Sequence, residues 1–174
     1  MIYFAEKGFE VFGFDASQET VERARLLLVE KKLHANLRTW DMRNPLPYGN
    51  ESFHAVIAAR VIHHTYASEI MKILEEINRV LKPNGLLFLQ VPSYEAETTD
   101  PNTPWVEPGT LIGRWGPEKG VPHHFFRKNE LLNLLSGYAT EQIHADTEHY
   151  HGYCLIARKK QPNINPTPTS ALGS

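Results

Sequence analysis

Two aspartates stand where the sequence predicts the ends of strands. Asp15 follows the largely apolar run 9–14, and Asp41 closely follows a predicted strand over residues 35–39. An acid at the carboxyl end of a strand in an open α/β sheet points into the crevice where such sheets bind ligands. Because a carboxylate accepts hydrogen bonds from ribose hydroxyls, we predict that Asp15 binds a nucleotide. The alternative is an acid placed only to favour the dipole of the following helix.

Nine histidines supply the other candidates, and several of them form adjacent pairs. His63 and His64 follow a predicted strand, whereas His123 and His124 stand further along the chain. Histidine is a common general base, so His64, His123 and His124 are candidate catalytic residues, with packing and hydrogen bonding as the alternative. Adjacent residues of an extended chain point to opposite sides, which makes each pair a poor metal chelate. We therefore predict no metal site.

Strands must alternate with helices to position these residues. The apolar pattern predicts strands over residues 9–14, 35–39, 52–59 and 86–91, and the end of a helix before Gly8. Strands 9–14 and 86–91 are predicted to be buried, and strand 52–59 is predicted to be buried on both faces. Helices are predicted over residues 18–32, 70–81 and 129–136, and two final strands over 141–145 and 152–157. This order predicts a doubly wound, Rossmann-like α/β fold with a mostly parallel sheet and a C-terminal antiparallel hairpin.

The segment 92–122 is rich in proline, glycine and polar residues. A loop of this length in a compact domain is usually functional or disordered, and we predict an ordered loop or lid. Its aromatic residues Tyr94, Trp105 and Trp115 either anchor the loop or form the walls of a substrate pocket, and for His124 a substrate-facing and a structural role are both open. The tail 161–174 is predicted to be disordered, which leaves one domain over 1–160.

Composition narrows the classes of function. The 174 residues carry a net charge of −2 with no long run of either sign, so we predict neither a nucleic-acid partner nor a membrane surface. The single Cys154 excludes a disulfide framework and fits a reducing compartment. We therefore expect a cytoplasmic protein that acts on small molecules.

Four motifs occur in order along the chain. They are Asp15, Asp41, the run 52–64 with its paired histidines, and the run 76–85, which ends in Arg-Val-Leu-Lys-Pro-Asn-Gly. Together they resemble the class I S-adenosylmethionine-dependent methyltransferases of the small-molecule type, and the likeness covers about residues 3–160. The resemblance implies a Rossmann-like sheet and methyl transfer from S-adenosylmethionine to a small-molecule acceptor that the sequence does not identify.

The resemblance also implies a role for each motif residue. The family's acid that binds the cofactor ribose matches Asp15, and the acid that meets the adenine amino group matches Asp41. The residues that line the methionine end of the cofactor follow the family's fourth strand. By this resemblance the cofactor-binding residues are Asp15, Ala16, Asp41, Met42, Ala58, Ala59 and Arg60.

One motif of that family is absent. Its glycine-rich loop follows the first strand, and in dinucleotide-binding units the acid lies about 20 residues beyond such a loop. Only fourteen residues precede Asp15, so the first strand is apparently missing and we interpret the domain as truncated. We expect the chain to bind the cofactor weakly or not at all. The alternative function is a non-catalytic protein of the same fold that acts through protein contacts of the lid surface or self-associates through exposed sheet edges.

Overall fold

The computed structural model of the protein describes residues 1–95, 104–114, 116–146 and 151–161. Its helices are α1 (Ile2–Glu6), α2 (Gln18–Glu30), α3 (Ala67–Val80) and α4 (Lys128–Leu134). Its strands are β1 (Phe12–Asp15), β2 (Asn36–Thr39), β3 (Phe53–Ala59), β4 (Leu81–Pro92), β5 (Trp105–Glu107), β6 (Thr110–Ile112), β7 (Pro122–His124), β8 (Tyr138–Asp146) and β9 (Gly152–Lys159). The predicted disordered tail falls almost entirely outside the described residues.

The strands form three sheets. β1 and β2 pair in parallel, and β3 pairs in parallel with β4 in a second sheet, where β9 and β8 then add antiparallel to their neighbours. The third sheet is antiparallel and consists of β5, β6 and β7. The predicted Rossmann-like α/β fold with its C-terminal antiparallel hairpin is thereby confirmed.

The hydrophobic core lies between α3 and β4. Ile70, Ile73 and Ile77 recur at helical spacing and are buried on one face of α3, whereas Leu87 and Leu89 of β4 are completely buried. The helix ends at Val80, and β4 begins at the next residue, Leu81. The prediction of this helix and strand from their periodicity is confirmed, although β4 is longer than predicted. No helix in the described ranges is long and apolar enough to cross a membrane.

The prediction that β1 is buried is wrong, because no residue of that strand is fully buried. The prediction that β3 is buried on both faces is also wrong. Only Ala58 of this strand is buried, and 52% of the Ile57 surface is exposed. Within the described residues β3 pairs with β4 alone and β1 pairs with β2 alone, so one edge of each strand lacks a neighbour. The two sheets meet through the rings of Phe12 and Phe53, whose centroids lie 5.4 Å apart. Burial of an apolar strand thus depends on neighbours that its own residues do not specify.

The segment predicted as a long loop contains secondary structure. Its described part forms β5, β6 and β7, together with a 3₁₀ turn over Gly116–Glu118. The strands have three residues each and are separated by glycine and proline, which is too short for a recognisable alternation of polar and apolar residues. This correction applies to residues 92–95, 104–114 and 116–122, which are the described part of the segment.

Candidate functional site

Asp15 and Asp41 lie at neighbouring strand ends. β1 and β2 are parallel with Asp15 opposite Thr39, and the Trp40 amide donates a hydrogen bond of 2.9 Å to the Asp15 carbonyl oxygen. Asp15 is exposed, and its Oδ1 accepts from the Ser17 amide at 2.8 Å. Its Oδ2 has no hydrogen-bond partner among the described residues, and neither has the buried Nε1 of Trp40. This edge therefore offers a carboxylate acceptor to a ligand.

The carboxylate of Asp41 is largely occupied by Arg43. The guanidinium donates from Nε to Oδ1 at 3.1 Å and from Nη2 to Oδ2 at 2.5 Å, and the Arg43 amide donates to Oδ1 at 2.9 Å. Hydrogen bonding from Arg43 holds the pKa of Asp41 below its ordinary value, against the effect of burial. A ligand amino group must share this carboxylate with Arg43. Sequence reasoning missed that pairing, for which the basic residue two positions later was the available signal.

The loop after Asp41 is fixed to α3 by a charged pair. Glu76 and Arg79 form a salt bridge with an Nη2–Oε2 distance of 2.7 Å, and Glu76 Oε2 also accepts from the Leu46 amide at 2.7 Å. Arg79 donates to the carbonyl oxygens of Leu46 and Tyr48 at 3.1 and 2.8 Å. These bonds hold the segment between β2 and β3, while Met42 packs partly against the core.

The third strand end carries Ala58, Ala59 and Arg60. Ala58 is buried, whereas Ala59 and Arg60 are exposed. The Arg60 amide donates to the Gln90 carbonyl oxygen at 2.9 Å, so β3 and β4 remain paired up to this point. Arg60 has a φ of 57°, which is uncommon for a residue other than glycine and occurs often at functional sites.

The segment that follows brings the two histidine pairs together. The His124 amide donates to the His63 carbonyl oxygen at 2.8 Å, and the ring centroids of His64 and His123 are 4.9 Å apart. Burial, aided by the neighbouring His64 and His123, lowers the pKa of His63 to about 3. Burial and His123 also lower the pKa of His64, although Glu118 opposes this. Sequence reasoning treated each pair separately and missed the contact between them.

His124 is completely buried, and both ring nitrogens contact protein groups. Its Nδ1 lies 2.7 Å from the Thr110 hydroxyl, which donates to Glu107 at 2.7 Å, and its Nε2 lies 2.9 Å from Glu130 Oε1. Glu107 also accepts from the Ala67 amide at 2.8 Å. The network thus ties β6 and β7 to the starts of α3 and α4. These contacts support the structural alternative, and contact with a substrate stays a prediction.

The described aromatic residues of the predicted lid contact one another. Tyr94 stacks on Trp105 with centroids 5.1 Å apart and planes inclined by 24°, and the Arg127 guanidinium lies 3.5 Å from the Tyr94 centroid. Trp105 also meets the edge of Phe125 at 6.0 Å. These contacts fit the anchoring alternative, and a role as pocket walls is not tested by them. Trp115 lies outside the described residues.

A family model described as a methyltransferase domain matches residues 1–89, just over half of the chain. This chain belongs to that family. The matched part of the methyltransferase domain contains α1 to α3, β1 to β3 and most of β4, and therefore includes Asp15, Asp41 and the strand end at Arg60. Family membership confirms the resemblance to methyltransferases on which the sequence interpretation depends.

Two curated relatives each match about half of this chain. An uncharacterized methyltransferase of Synechocystis is 28% identical over 88 residues, which are 51% of this chain and 39% of that protein. The tRNA (carboxymethyluridine(34)-5-O)-methyltransferase of Arabidopsis thaliana is 32% identical over 99 residues, 55% of this chain and 24% of that protein. The chain thus spans well under half the length of either relative.

Solved structures match nearly the whole chain. A protein of Pyrococcus horikoshii is 21% identical with a TM-score of 0.74, and the match covers 91% of this chain and 76% of that one. A SAM-dependent methyltransferase of Methanosarcina mazei is 21% identical with a TM-score of 0.73, and the match covers 92% and 87% of the two chains. At this level of identity the likeness establishes the fold alone.

Proposed function

We propose that this methyltransferase domain transfers a methyl group from S-adenosylmethionine to a small-molecule acceptor. The observation that carries the proposal is the exposed Asp15 carboxylate at the carboxyl end of β1, whose Oδ2 accepts no hydrogen bond from a described residue. A carboxylate there fits two neighbouring ribose hydroxyls, because charge-assisted hydrogen bonds are roughly twice as strong as neutral ones.

The other strand ends complete the proposed cofactor site. Ala16 follows Asp15, Asp41 accepts from the adenine amino group while keeping Arg43, and Met42 lies beside the ring. The end of β3 faces the methionine part of the cofactor. We assign this part of the site to Ala58, Ala59 and Arg60.

The bound cofactor supplies an electrophilic methyl group on a sulfonium. The residues of the chain contribute proximity and alignment, which are worth roughly 7–11 kcal/mol in well-oriented reactions. A hydroxyl or ammonium acceptor also needs a general base, and His64 is a candidate because burial keeps its imidazole neutral. His123 and His124 are further candidates, and we propose that Tyr94, Trp105 and His124 border the acceptor.

The balance of charged residues in the chain indicates the class of acceptor. The Arabidopsis relative is named for a tRNA substrate, and proteins that bind nucleic acids neutralise phosphates with many basic side chains. This chain has 18 basic and 20 acidic residues. That balance favours a small molecule as acceptor. The single Cys154 fits a location in the cytoplasm, and both statements stay predictions.

Thermal unfolding with S-adenosylhomocysteine tests the proposed site. A ligand at ten times its dissociation constant stabilises the folded state by about 1.4 kcal/mol. Because the proposal requires binding that is weak rather than absent, millimolar ligand should raise the Tm of the unmodified chain. The Asp15→Asn variant should lose at least most of this shift, because its amide cannot replace the charge. Glu10→Gln, which changes an exposed acid just before β1, is the matched control and should keep the shift. No shift for the unmodified chain, or an equal shift for Asp15→Asn, contradicts the proposal.

A second candidate function is self-association without catalysis. The open edges of β1 and β3 in the described part of the chain, and the exposed Ile57, favour it because such edges pair readily with another copy. Light scattering over a range of concentrations distinguishes the two functions. A mass that doubles with concentration, without any stabilisation by the nucleoside, supports self-association, whereas a constant monomer mass contradicts it.

A further inference from the structure

We infer that His64, His123 and Glu118 form a binding site for a divalent transition-metal ion, with Zn²⁺ as the best fit. One ligand atom from each of the three side chains lies within 4.8 Å of the other two. This site is distinct from the strand-end acids proposed to hold the nucleoside. It does not depend on methyl transfer.

The distances fit a metal ion of this size. His123 Nε2 lies 2.9 Å from Glu118 Oε2, and His64 Nε2 lies 3.6 Å from Glu118 Oε1. Ligand atoms in a tetrahedral zinc site with bonds of about 2.0–2.2 Å are about 3.4 Å apart. These two distances join different oxygens of Glu118 and lie on either side of this value, and the ligand atoms of all three residues lie within 4.8 Å of one another. Rotation of the exposed Glu118 side chain and of His64 would bring the three ligands onto one ion.

The hydrogen bonds of His123 favour a ligand between the two side chains. Its Nδ1 lies 3.0 Å from the Val121 carbonyl oxygen, which only accepts, so Nδ1 carries a hydrogen. In a neutral ring Nε2 is then an acceptor that faces a carboxylate, which is also an acceptor. Either a second proton or a metal ion must lie between these atoms. A metal-bound histidine usually donates its other ring N–H to a carboxylate, a backbone carbonyl or water, and Nδ1 of His123 makes such a bond to Val121.

The surroundings support a built site. His64 and His123 come from separate segments that are held together by the hydrogen bond between the His124 amide and His63, and their side chains are 29% and 12% exposed. His63 is 94% buried beside His64, and its Nδ1 has no hydrogen-bond partner in the described part of the chain. Two histidines and one glutamate are a ligand set of open zinc sites, which keep a position for a further ligand.

Metal titration of the full chain, prepared without a histidine tag and stripped with EDTA, tests this inference. Calorimetry with Zn²⁺ should give one ion per chain, and Co²⁺ should give the visible absorption of a tetrahedral site. Glu118→Gln and His123→Gln should each weaken binding at least tenfold. His34→Gln, which replaces an exposed histidine elsewhere, should bind as the unmodified chain does.

Nuclear magnetic resonance of the histidine side chains identifies the ligands without any variant. One equivalent of Zn²⁺ should shift the Nε2 signals of His64 and His123 and leave those of His34 and His144 unchanged. The inference is overturned by an absence of stoichiometric binding, by shifts at other histidines, or by unchanged affinity in Glu118→Gln. The last variant alters a side chain that is 59% exposed, so its fold is expected to be intact, which circular dichroism checks.

Discussion

The Thr110 hydroxyl is the central hydrogen-bonding group of the network that holds β7. Thr110 is completely buried, and its Oγ1 lies 2.7 Å from both Glu107 Oε1 and His124 Nδ1. The Ala67 amide lowers the pKa of Glu107, which is therefore an acceptor, so the hydroxyl donates to Glu107 and accepts from His124. Thr110→Val preserves the shape but removes both bonds and leaves a buried Nδ1–H unpaired, at a cost of about 1–3 kcal/mol.

Thermal and urea unfolding followed by circular dichroism measure this loss. A cost of about 2 kcal/mol lowers the Tm of a chain of this size by about 4–8 °C. Thr140→Val is the matched control, because Thr140 is exposed on β8 and surface changes usually stay within about 0.5 kcal/mol. A loss in Thr110→Val no larger than that of the control would refute the argument that the network stabilises the fold.

Three further predictions concern charged and aromatic contacts. Arg79 lowers the pKa of Glu76 below its usual 4.5, so this carboxylate stabilises the fold above about pH 4.5 and its contribution is lost as the pH falls through the lower folded-state pKa. Glu76→Gln should accordingly lose less stability between pH 5 and pH 3 in urea unfolding, and an unchanged pH dependence contradicts this. Arg43→Ala should raise the pKa of Asp41 towards 3.8, as measured by magnetic-resonance titration of the carboxyl group. The control Arg25→Ala removes another exposed ion pair and should leave the pKa of Asp41 unchanged. Tyr94→Ala should cost about 1–2.5 kcal/mol by urea unfolding, from the lost stacking on Trp105 and the lost contact with Arg127, and a stability equal to that of the unmodified chain would show that these contacts do not anchor the segment.

The regular elements were predictable because local pattern determines them. The spacing of Ile70, Ile73 and Ile77 predicts α3, and Ser17 predicts the start of α2, where its hydroxyl accepts from the Thr20 amide at 3.2 Å. The positions of Asp15 and Asp41 at adjacent strand ends follow from the parallel order of the strands. These features depend on residues close together in sequence and on general rules of α/β connection.

The features that escaped prediction depend on distant residues. The exposure of Ile57 follows from which strands stand beside β3, and the small sheet of β5 to β7 has strands too short to show a period. His64 and His123 meet only because the chain folds back over 59 residues. Neither histidine pair, taken by itself, indicates the mixed cluster with Glu118. Arg43 is close to Asp41 in sequence, but the contact between its guanidinium and the Asp41 carboxylate depends on the rotamers of both side chains.

Mapping of S-adenosylhomocysteine onto the backbone amides of the isotope-labelled chain tests the central claim most directly, and it detects weak binding. The account predicts that millimolar ligand shifts the amides of Ala16, Ser17, Met42 and Arg60, at the carboxyl ends of β1, β2 and β3, and that Asp15→Asn reduces these shifts at equal ligand concentration. Shifts confined to other parts of the chain, or no shifts at all, would contradict the account.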